Sequence, residues 1–207
     1  NTFCLLRDGT AVLSHHIGDL EEARTHADYR RAVEQYLRLF EQQPQYLAMD
    51  LHPEYLSRKL ALELAEQCGI ALAGVQHHHA HIAACMAENG VALTTDPLLG
   101  IALDGLGYGD DGALWGAEFL LADYRGYRRL GTLAPVPMPG AARAIREPWR
   151  NTYAQLATTV GWEYLDGPGS GGGEPLELVR FLGGKPRAQL DAMMARGINS
   201  PPASSCG

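Results

Sequence analysis

The sequence lacks the features of a membrane or secreted protein. No apolar run approaches the roughly 18 residues that a membrane-spanning helix needs, and no secretory leader is recognisable. Of its 207 residues, 46% are hydrophobic and 20% are charged, which is the composition of a globular protein with one large or two small domains. We therefore expect a soluble, cytoplasmic protein.

Basic clusters are also missing. Lysines and arginines number 17 against 24 aspartates and glutamates, which gives a formal net charge of -7. Proteins that bind nucleic acid through its phosphates need clustered basic side chains that release counterions. Nucleic acid is therefore not an expected partner.

Cysteine is scarce, and no C-x-x-C pair occurs. This argues against a structural zinc site built from cysteines and against a disulfide framework. We expect reduced and mostly buried thiols at the four positions, which are Cys4, Cys68, Cys85 and Cys206.

Histidine, by contrast, is concentrated in one place. Four of the eight histidines lie within five positions, namely His77, His78, His79 and His81. Residues at i and i+4 of a helix emerge on one face about one turn apart, so His77 and His81 can hold one divalent metal between them. Asp104, 23 residues after His81, can add a carboxylate oxygen. The sequence predicts a metal site formed by His77, His81 and Asp104.

A glycine-rich turn follows this aspartate. Glycine has no Cβ, so its backbone N–H groups can approach phosphate oxygens closely. The residues that we predict to contact a phosphate-containing ligand are Gly105, Gly107, Gly109, Asp111 and Gly112. D-G-x-G turns also form ordinary hairpins, so the glycine pattern alone does not separate the two interpretations.

The histidine cluster has other interpretations. A histidine run can be a purification tag, but tags lie at termini, whereas this run is internal and flanked by apolar residues. Single histidines on a helix are more often core or surface residues than ligands. Zinc proteases of the H-E-x-x-H type share the spacing, but His78 stands where their general-base glutamate would be. The spacing therefore matches that motif and the chemistry does not.

Apolar strand-like runs alternate with helical patterns in the first part of the chain. Residues 2–6 and 10–16 flank Asp8-Gly9, which predicts an antiparallel hairpin. Further predicted elements are a helix over 28–43 ended by Pro44, a short buried strand over 46–51, a helix that opens at His52-Pro53 and stops at Gly69, and a strand over 70–75. The histidine cluster then begins a helix at the carboxyl end of that strand, where open α/β sheets bind ligands.

The second part of the chain changes character. Residues 98–104, 112–121 and 127–134 predict a three-stranded meander, and the proline-rich segment 135–140 predicts an extended crossing. From Ala141 onward the pattern is helical, and residues 167–173 predict a flexible surface loop.

Seven motifs follow one another along the chain: NTFC at 1–4, SHHIGDL at 14–20, DLHPEYLS at 50–57, VQHHHAHIA at 75–83, DGLGYGDDGALWGAE at 104–118, REP at 146–148 and NSPPASS at 199–205. In this order they resemble the HypF family of carbamoyltransferases, which act in the maturation of NiFe hydrogenases. The resemblance spans nearly the whole sequence, and several long motifs in order are more specific than any one of them.

The resemblance implies an actin-like, sugar-kinase-like ATPase fold with a ribonuclease-H-type mixed sheet. It implies that residues 1–207 form a partial carbamoyltransferase domain of the HypF C-terminal type, with one lobe and the start of the second, truncated before the second lobe. That lobe would bring most of the adenosine pocket and a further aspartate ligand. The family's acylphosphatase-like domain, paired zinc fingers and adenylate-forming domain are not visible in the sequence. We therefore expect a fragment that does not turn over carbamoyl phosphate or ATP at a significant rate, and whose exposed interlobe face gives an artefactual dimer or binds hydrophobic dyes.

The resemblance also implies a reaction. In the complete enzyme, carbamoyl phosphate and ATP yield carbamoyl-adenylate, whose carbamoyl group passes to the C-terminal cysteine thiol of the partner HypE. The product is later converted to the cyanide ligands of the NiFe centre. The implied cofactors are ATP or carbamoyl-adenylate and a divalent metal, zinc or iron, since mixed imidazole and carboxylate ligands do not select between these ions.

Other residues carry weaker signals. Asp50 and His52 lie at the end of a predicted strand and can face a ligand as catalytic residues, although Asp or His before Pro is also a common start of a helix. His78 or His79 can support the metal ligands or contact the substrate. A further pair, Arg146 and Glu147, can bind phosphate or form a surface ion pair.

Two other functions remain open. One is an O-carbamoyltransferase that acts on a small-molecule hydroxyl, although the motifs at 14–20 and 50–57 look more like HypF. The other is a non-catalytic nucleotide binder of the actin fold, in which the pair His77 and His81 would have no purpose.

Overall fold

The computed structural model describes residues 1–166 and 176–205. The loop predicted over 167–173 and the thiol of Cys206 lie outside these residues. The chain divides into two compact units, an N-terminal unit of Asn1–Gln76 and a C-terminal unit of His77–Gly207.

The N-terminal unit begins with the predicted hairpin. Strands β1 (Cys4–Arg7) and β2 (Thr10–Leu13) pair in antiparallel fashion around a two-residue turn. Asp8 and Gly9 both take positive φ angles, 51° and 75°, which is the type I′ turn that suits the twist of a hairpin. The hairpin prediction is confirmed.

Two helices and two parallel strands complete this unit. They are α1 (Ala23–Leu39), β3 (Tyr46–Asp50), α2 (Leu56–Cys68) and β4 (Ala71–Val75). Strand β3 pairs in parallel with β4, so that Asp50 lies beside Val75. The core is formed by Leu20, Tyr29 and Leu60.

The bounds of these helices differ from the predicted ones. The first helix was predicted over 28–43, but α1 ends at Leu39, and Glu41 takes a positive φ of 48° before Pro44 is reached. The second helix was predicted to begin at His52-Pro53, but residues 50–54 form a polar turn, so α2 begins at Leu56. The strand prediction at 46–51 is confirmed in position and wrong in burial, because Tyr46 is largely exposed.

The C-terminal unit opens with the histidine helix and the predicted meander. Helix α3 (His77–Glu88) is followed by β5 (Leu98–Tyr108), β6 (Leu114–Ala122) and β7 (Tyr127–Thr132), which pair in antiparallel order. Helix α3 packs on one face of this sheet through a core of Ile82, Met86, Ala102, Leu120 and Ala122. Strand β5 continues four residues beyond its predicted end at 104, because the glycine-rich segment stays in the sheet.

Two short strands make the sheet mixed. Strand β8 (Val136–Pro137) lies in the predicted extended segment, and β9 (Pro202–Ala203) pairs with it in antiparallel fashion and with β6 in parallel fashion. The sequence did not predict β9, because two residues carry no periodicity. The prediction of a helical segment from Ala141 onward is confirmed. Its helices are α4 (Ala142–Arg146), α5 (Trp149–Thr159), α6 (Trp162–Asp166), α7 (Glu177–Gly183) and α8 (Arg187–Ala195).

Two general expectations can be compared with this structure. Cys4, Cys68 and Cys85 are free thiols as predicted, but all three are exposed, so the expectation of burial was wrong. Within the described residues, no helix combines the length and the apolar character needed to cross a bilayer.

Candidate metal centre

Helix α3 presents two histidines of the cluster on one face. His77 opens the helix and His81 lies one turn later, so both imidazoles project from the same side. Their Nε2 atoms are 3.2 Å apart, and the ring planes are nearly perpendicular, at 87°. Both nitrogens can therefore face a common point.

Strand β5 brings Asp104 to the same point. Its register with β6 is irregular over residues 103–107, so the backbone leaves the regular ladder where Asp104 lies. Asp104 Oδ2 is 3.1 Å from Nε2 of His77 and 3.9 Å from Nε2 of His81. Its Oδ1 accepts the backbone N–H of Gly105 at 2.6 Å, which orients the carboxylate. One ligand atom from each of the three side chains lies within 4.8 Å of the others.

The chemistry of this group suits a transition metal. Two imidazoles and one carboxylate fit Zn²⁺, Fe²⁺ or a similar ion. The side chains of His77, Asp104 and His81 are 24%, 29% and 59% exposed, so His81 reaches solvent, whereas Oδ2 of Asp104 is itself buried. Three protein ligands with open coordination positions are typical of a catalytic metal site. The structure brings the three predicted ligands together, and their binding of an ion stays a prediction.

The other two histidines of the cluster face different surroundings. His78 is fully buried, and this burial, followed by the effect of His77, lowers the pKa of its imidazole. Its ring lies 5.6 Å from the ring of His77. His79 Nε2 is 2.7 Å from the carbonyl oxygen of Asp123, so it donates an N–H that ties α3 to the end of β6. His79 therefore holds the helix beside the sheet, and His78 packs inside the unit.

The glycines after Asp104 differ in what surrounds them. A Cβ on Gly107 would lie 2.4 Å from Cε1 of His78, and one on Gly109 would lie 2.2 Å from Nε1 of Trp115. The protein's own packing therefore requires both glycines. A Cβ on Gly105 would meet nothing within 4 Å, so open space remains beside this residue. Contact of these glycines with a phosphate stays a prediction.

The turn between β5 and β6 is held by Asp111. Its Oδ1 accepts the backbone N–H of Ala113 at 3.0 Å and the indole N–H of Trp115 at 2.9 Å. The hydrogen bond from Ala113 is the main reason that the pKa of Asp111 is lowered, and Trp115 and Arg129 add to it. Gly112 follows with a φ of 76°. Asp111 and Gly112 thus shape the turn, and their contact with a ligand stays a prediction.

A buried polar network, which the sequence analysis missed, lies in the same unit. Glu118 of β6 has no solvent exposure and accepts hydrogen bonds from Arg129 Nε at 2.6 Å, Ser204 Oγ at 2.6 Å and Thr132 Oγ1 at 3.0 Å. The Arg129 guanidinium also lies over the ring of Trp115, 4.1 Å from its centroid. A glutamate inside an otherwise apolar strand is a signal that could have revealed this network, because a buried charge needs partners.

Asp50 and His52 belong to the N-terminal unit, where they form a local turn. Asp50 Oδ1 accepts the backbone N–H of His52 at 2.7 Å, and His52 Nδ1 accepts that of Glu54 at 3.2 Å. The ring of His52 stacks on Tyr55, with centroids 4.2 Å apart. These contacts fit the alternative that both residues prepare the start of α2, and a catalytic role for them stays a prediction.

The acidic residue of the Arg146–Glu147 pair is engaged with other arginines. Glu147 accepts hydrogen bonds from Arg143 at 3.0 Å and from Arg150 at 2.5 Å. The ion pair suggested between Arg146 and Glu147 is therefore formed by Glu147 with Arg143 and Arg150 instead of Arg146. Positions i-4 and i+3 lie on the side of the helical turn that Glu147 faces, whereas its sequence neighbour does not.

Two family models match most of the chain. Residues 1–88 match the HypF Kae1-like domain, and residues 100–207 match the second subdomain of the Kae1-like domain of carbamoyltransferases.

Similar proteins are found among curated sequences and solved structures. The chain is 44% identical over 207 residues to carbamoyltransferase HypF2 of Cupriavidus necator, covering 100% of this chain and 24% of that protein. It is 39% identical over 204 residues to carbamoyltransferase HypF of Rhodobacter capsulatus, covering 99% of this chain and 26% of that protein. The chain thus spans about a quarter of the length of these relatives. A crystal structure of full-length HypF in its phosphate- and nucleotide-bound form matches with a TM-score of 0.78 and 33% identity, over 100% of this chain and 25% of that one.

Proposed function

Because this chain belongs to the HypF carbamoyltransferase family, we propose that it forms part of a domain that transfers a carbamoyl group in NiFe hydrogenase maturation. The donor is carbamoyl-adenylate, made from carbamoyl phosphate and ATP, and the acceptor is the C-terminal cysteine thiol of HypE. The observation that carries the proposal is the convergence of His77, His81 and Asp104, whose ligand atoms all lie within 4.8 Å of one another.

The reaction needs positioning more than covalent help from the protein. The partner's thiolate sulfur forms a bond to the carbamoyl carbon, and the bond from that carbon to the phosphate oxygen breaks, so that AMP leaves with the electron pair. AMP is a good leaving group and the nucleophile comes from the partner, so alignment and charge stabilisation remain. A divalent ion held by the triad would supply Lewis-acid stabilisation of phosphate or carbamoyl oxygens.

The residues around the triad suit this role. The Gly105 N–H fixes one oxygen of Asp104 and leaves the other directed at His77. Open space beside Gly105 allows the backbone to approach a phosphate. One solved relative, of which this chain covers 25%, is in a phosphate- and nucleotide-bound form, which supports a nucleotide-containing ligand for the complete enzyme.

The metal site can be tested on the 207-residue chain itself. We expect Zn²⁺ to bind in a calorimetric titration and His81→Ala to weaken binding more than about tenfold, because it removes one of three ligands. Binding should also weaken in acid, since imidazoles bind metal only when neutral. His26→Ala, which removes a histidine of α1, is the control and should bind as the unmodified chain does. Equal binding by His81→Ala would place the ligands elsewhere.

Carbamoyl transfer can be tested in a chimera. Residues 1–207 replace the matching segment of the Cupriavidus necator relative, and mass spectrometry follows carbamoylation of a peptide that ends in the cysteine of HypE. We expect the chimera to carbamoylate the peptide. His81→Ala should lower this activity more than about a hundredfold, because loss of a metal ligand should exceed the roughly 10- to 100-fold effect of losing a residue that only supports a ligand. Carbamoylation of a small hydroxyl compound instead of the thiol would contradict the proposed acceptor.

A further inference from the structure

The starting point is the buried carboxylate of Glu118, which faces a cluster of donors. Three donors from two separate segments reach its two oxygens: Arg129 Nε of β7 binds Oε2, and the hydroxyls of Thr132, also of β7, and of Ser204, just after β9, bind Oε1. A buried charge is tolerated only when it is paired and hydrogen-bonded in this way. Glu118 therefore fixes the position of the Arg129 side chain at the edge of the sheet.

Arg129, held by Glu118, packs against Trp115. Its guanidinium lies over the indole, and its NH1 is 3.3 Å from Asp111 Oδ2. The indole N–H itself donates to the other oxygen of Asp111. Trp115, which is 3% exposed, is thus clamped between a cation on its face and a carboxylate at its edge.

Trp115 in turn lies beside the first turn of α3. Its ring centroid lies 6.1 Å from that of His78. Gly107, the cross-strand partner of Trp115 on β5, lies so close to the same turn that a Cβ there would be 2.4 Å from Cε1 of His78 and 3.1 Å from Cδ2 of His77. These contacts leave the first turn of α3 little room to shift. The position of His77, and hence its approach to Asp104, depends on them.

We propose that Glu118 and Arg129 are positioning residues of the metal centre: Glu118 anchors Arg129 over Trp115, and Trp115 holds His78 and His77 where a metal can be shared with Asp104. The proposal rests on the metal binding proposed above. It predicts that loss of the Arg129 contacts weakens metal binding even where the fold is intact.

The test is a Zn²⁺ titration of the full 207-residue chain by calorimetry, with folding checked by circular dichroism. Arg129→Met keeps the apolar stem and removes the cation and the Nε donor, and should weaken binding about 10-fold to 100-fold. Because this variant leaves Glu118 buried without its cation, the double variant Glu118→Gln with Arg129→Met removes that charge as well and should show the same weakening.

Two controls separate positioning from general destabilisation. Arg128→Met makes the same change at the exposed neighbour on β7 and should leave binding unchanged. Leu190→Ala destabilises the separate core of α5, α7 and α8 and should also leave metal binding unchanged while lowering the melting temperature. Zn²⁺ affinity equal to that of the unmodified chain in both Arg129 variants, or an equal loss in Leu190→Ala, would overturn the proposal.

The His81→Ala titration distinguishes the two proposals. If His81→Ala weakens binding and the Arg129 variants do not, the metal site stands and the positioning role fails. If His81→Ala binds as the unmodified chain does, the metal site and the positioning role fail together.

Discussion

At the scale of single residues, two glycines near the metal centre have opposite surroundings. Gly107 lies against the imidazole of His78, so that no Cβ fits there, whereas Gly105 borders open space. Gly107 thus allows close packing against a buried histidine, whereas the space beside Gly105 is open. Both positions are glycine in the sequence, and only the structure shows that their surroundings differ.

This difference predicts opposite outcomes for one substitution. Gly107→Ala should destabilise the chain by about 1–3 kcal/mol, because its methyl group overlaps His78, and should weaken Zn²⁺ binding through displacement of His77. Gly105→Ala is the matched control and should change the free energy of unfolding by no more than about 0.5 kcal/mol. Urea denaturation and Zn²⁺ titration of both variants provide the measurements. Equal stability of the two variants would contradict the packing role of Gly107.

At the scale of elements, the sequence predicted the elements with clear periodicity and missed the end of one helix and the buried polar network. The helix α3 and the meander β5, β6 and β7 follow from long periodic runs and turn residues. The end of α1 depends on a backbone conformation at Glu41 that no periodicity reports. The partners Thr132 and Ser204 are 14 and 86 residues from Glu118 in sequence, so their meeting is a product of the tertiary fold.

The triad was predictable for a related reason. His77 and His81 are four residues apart in the sequence, and this spacing puts both on one face of a helix. Asp104 is non-local, and it was placed beside them by its motif, because a carboxylate at a strand end next to a glycine-rich turn is typical of ligand sites. The packing role of Gly107 and Gly109 was not predictable, since it depends on where His78 and Trp115 point.

The turn between β5 and β6 gives an element-scale prediction about acid. The pKa of Asp111 is lowered in the folded chain, chiefly by the Ala113 N–H. Its ionised form therefore adds stability above the ordinary aspartate pKa of about 3.9, and this contribution is lost as pH falls through the lower folded pKa. Asp111→Asn should lose about 0.5 kcal/mol at pH 7, a small value because the side chain is half exposed, and the loss should shrink toward pH 3.

Thermal unfolding between pH 3 and pH 7 measures this dependence. Asp96→Asn, at an exposed carboxylate in the loop before β5, is the control and should unfold in parallel with the unmodified chain at every pH. A stability difference for Asp111→Asn that stays constant from pH 3 to pH 7 would show that the charge of Asp111 contributes nothing.

At the scale of the whole molecule, the family and the mixed α/β, actin-like fold predicted from the sequence are both confirmed. The sheet of the C-terminal unit has two different faces. Gly100 and Ala102 of β5 face α3, whereas the alternate residues Leu99, Ile101 and Leu103 are 56%, 55% and 66% exposed. Among the described residues, β5 pairs only with β6, so its other edge also presents backbone donors and acceptors. An apolar face beside an open strand edge is a surface on which chains associate.

We therefore expect the 207-residue chain to self-associate through β5 as its concentration rises, with uptake of a hydrophobic dye by the fraction that stays monomeric. Ile101→Lys puts a charge at the centre of the exposed row and should shift light scattering toward the monomer and reduce dye fluorescence. Leu39→Lys, at a leucine that is 73% exposed at the end of α1, is the matched control and should change neither. The two readouts separate association from simple exposure, because a dimer that buries the row takes up less dye than the monomer does. A chain that remains monomeric at all concentrations and binds no dye, or an association that Ile101→Lys leaves unchanged, would show that this face of β5 does not drive association.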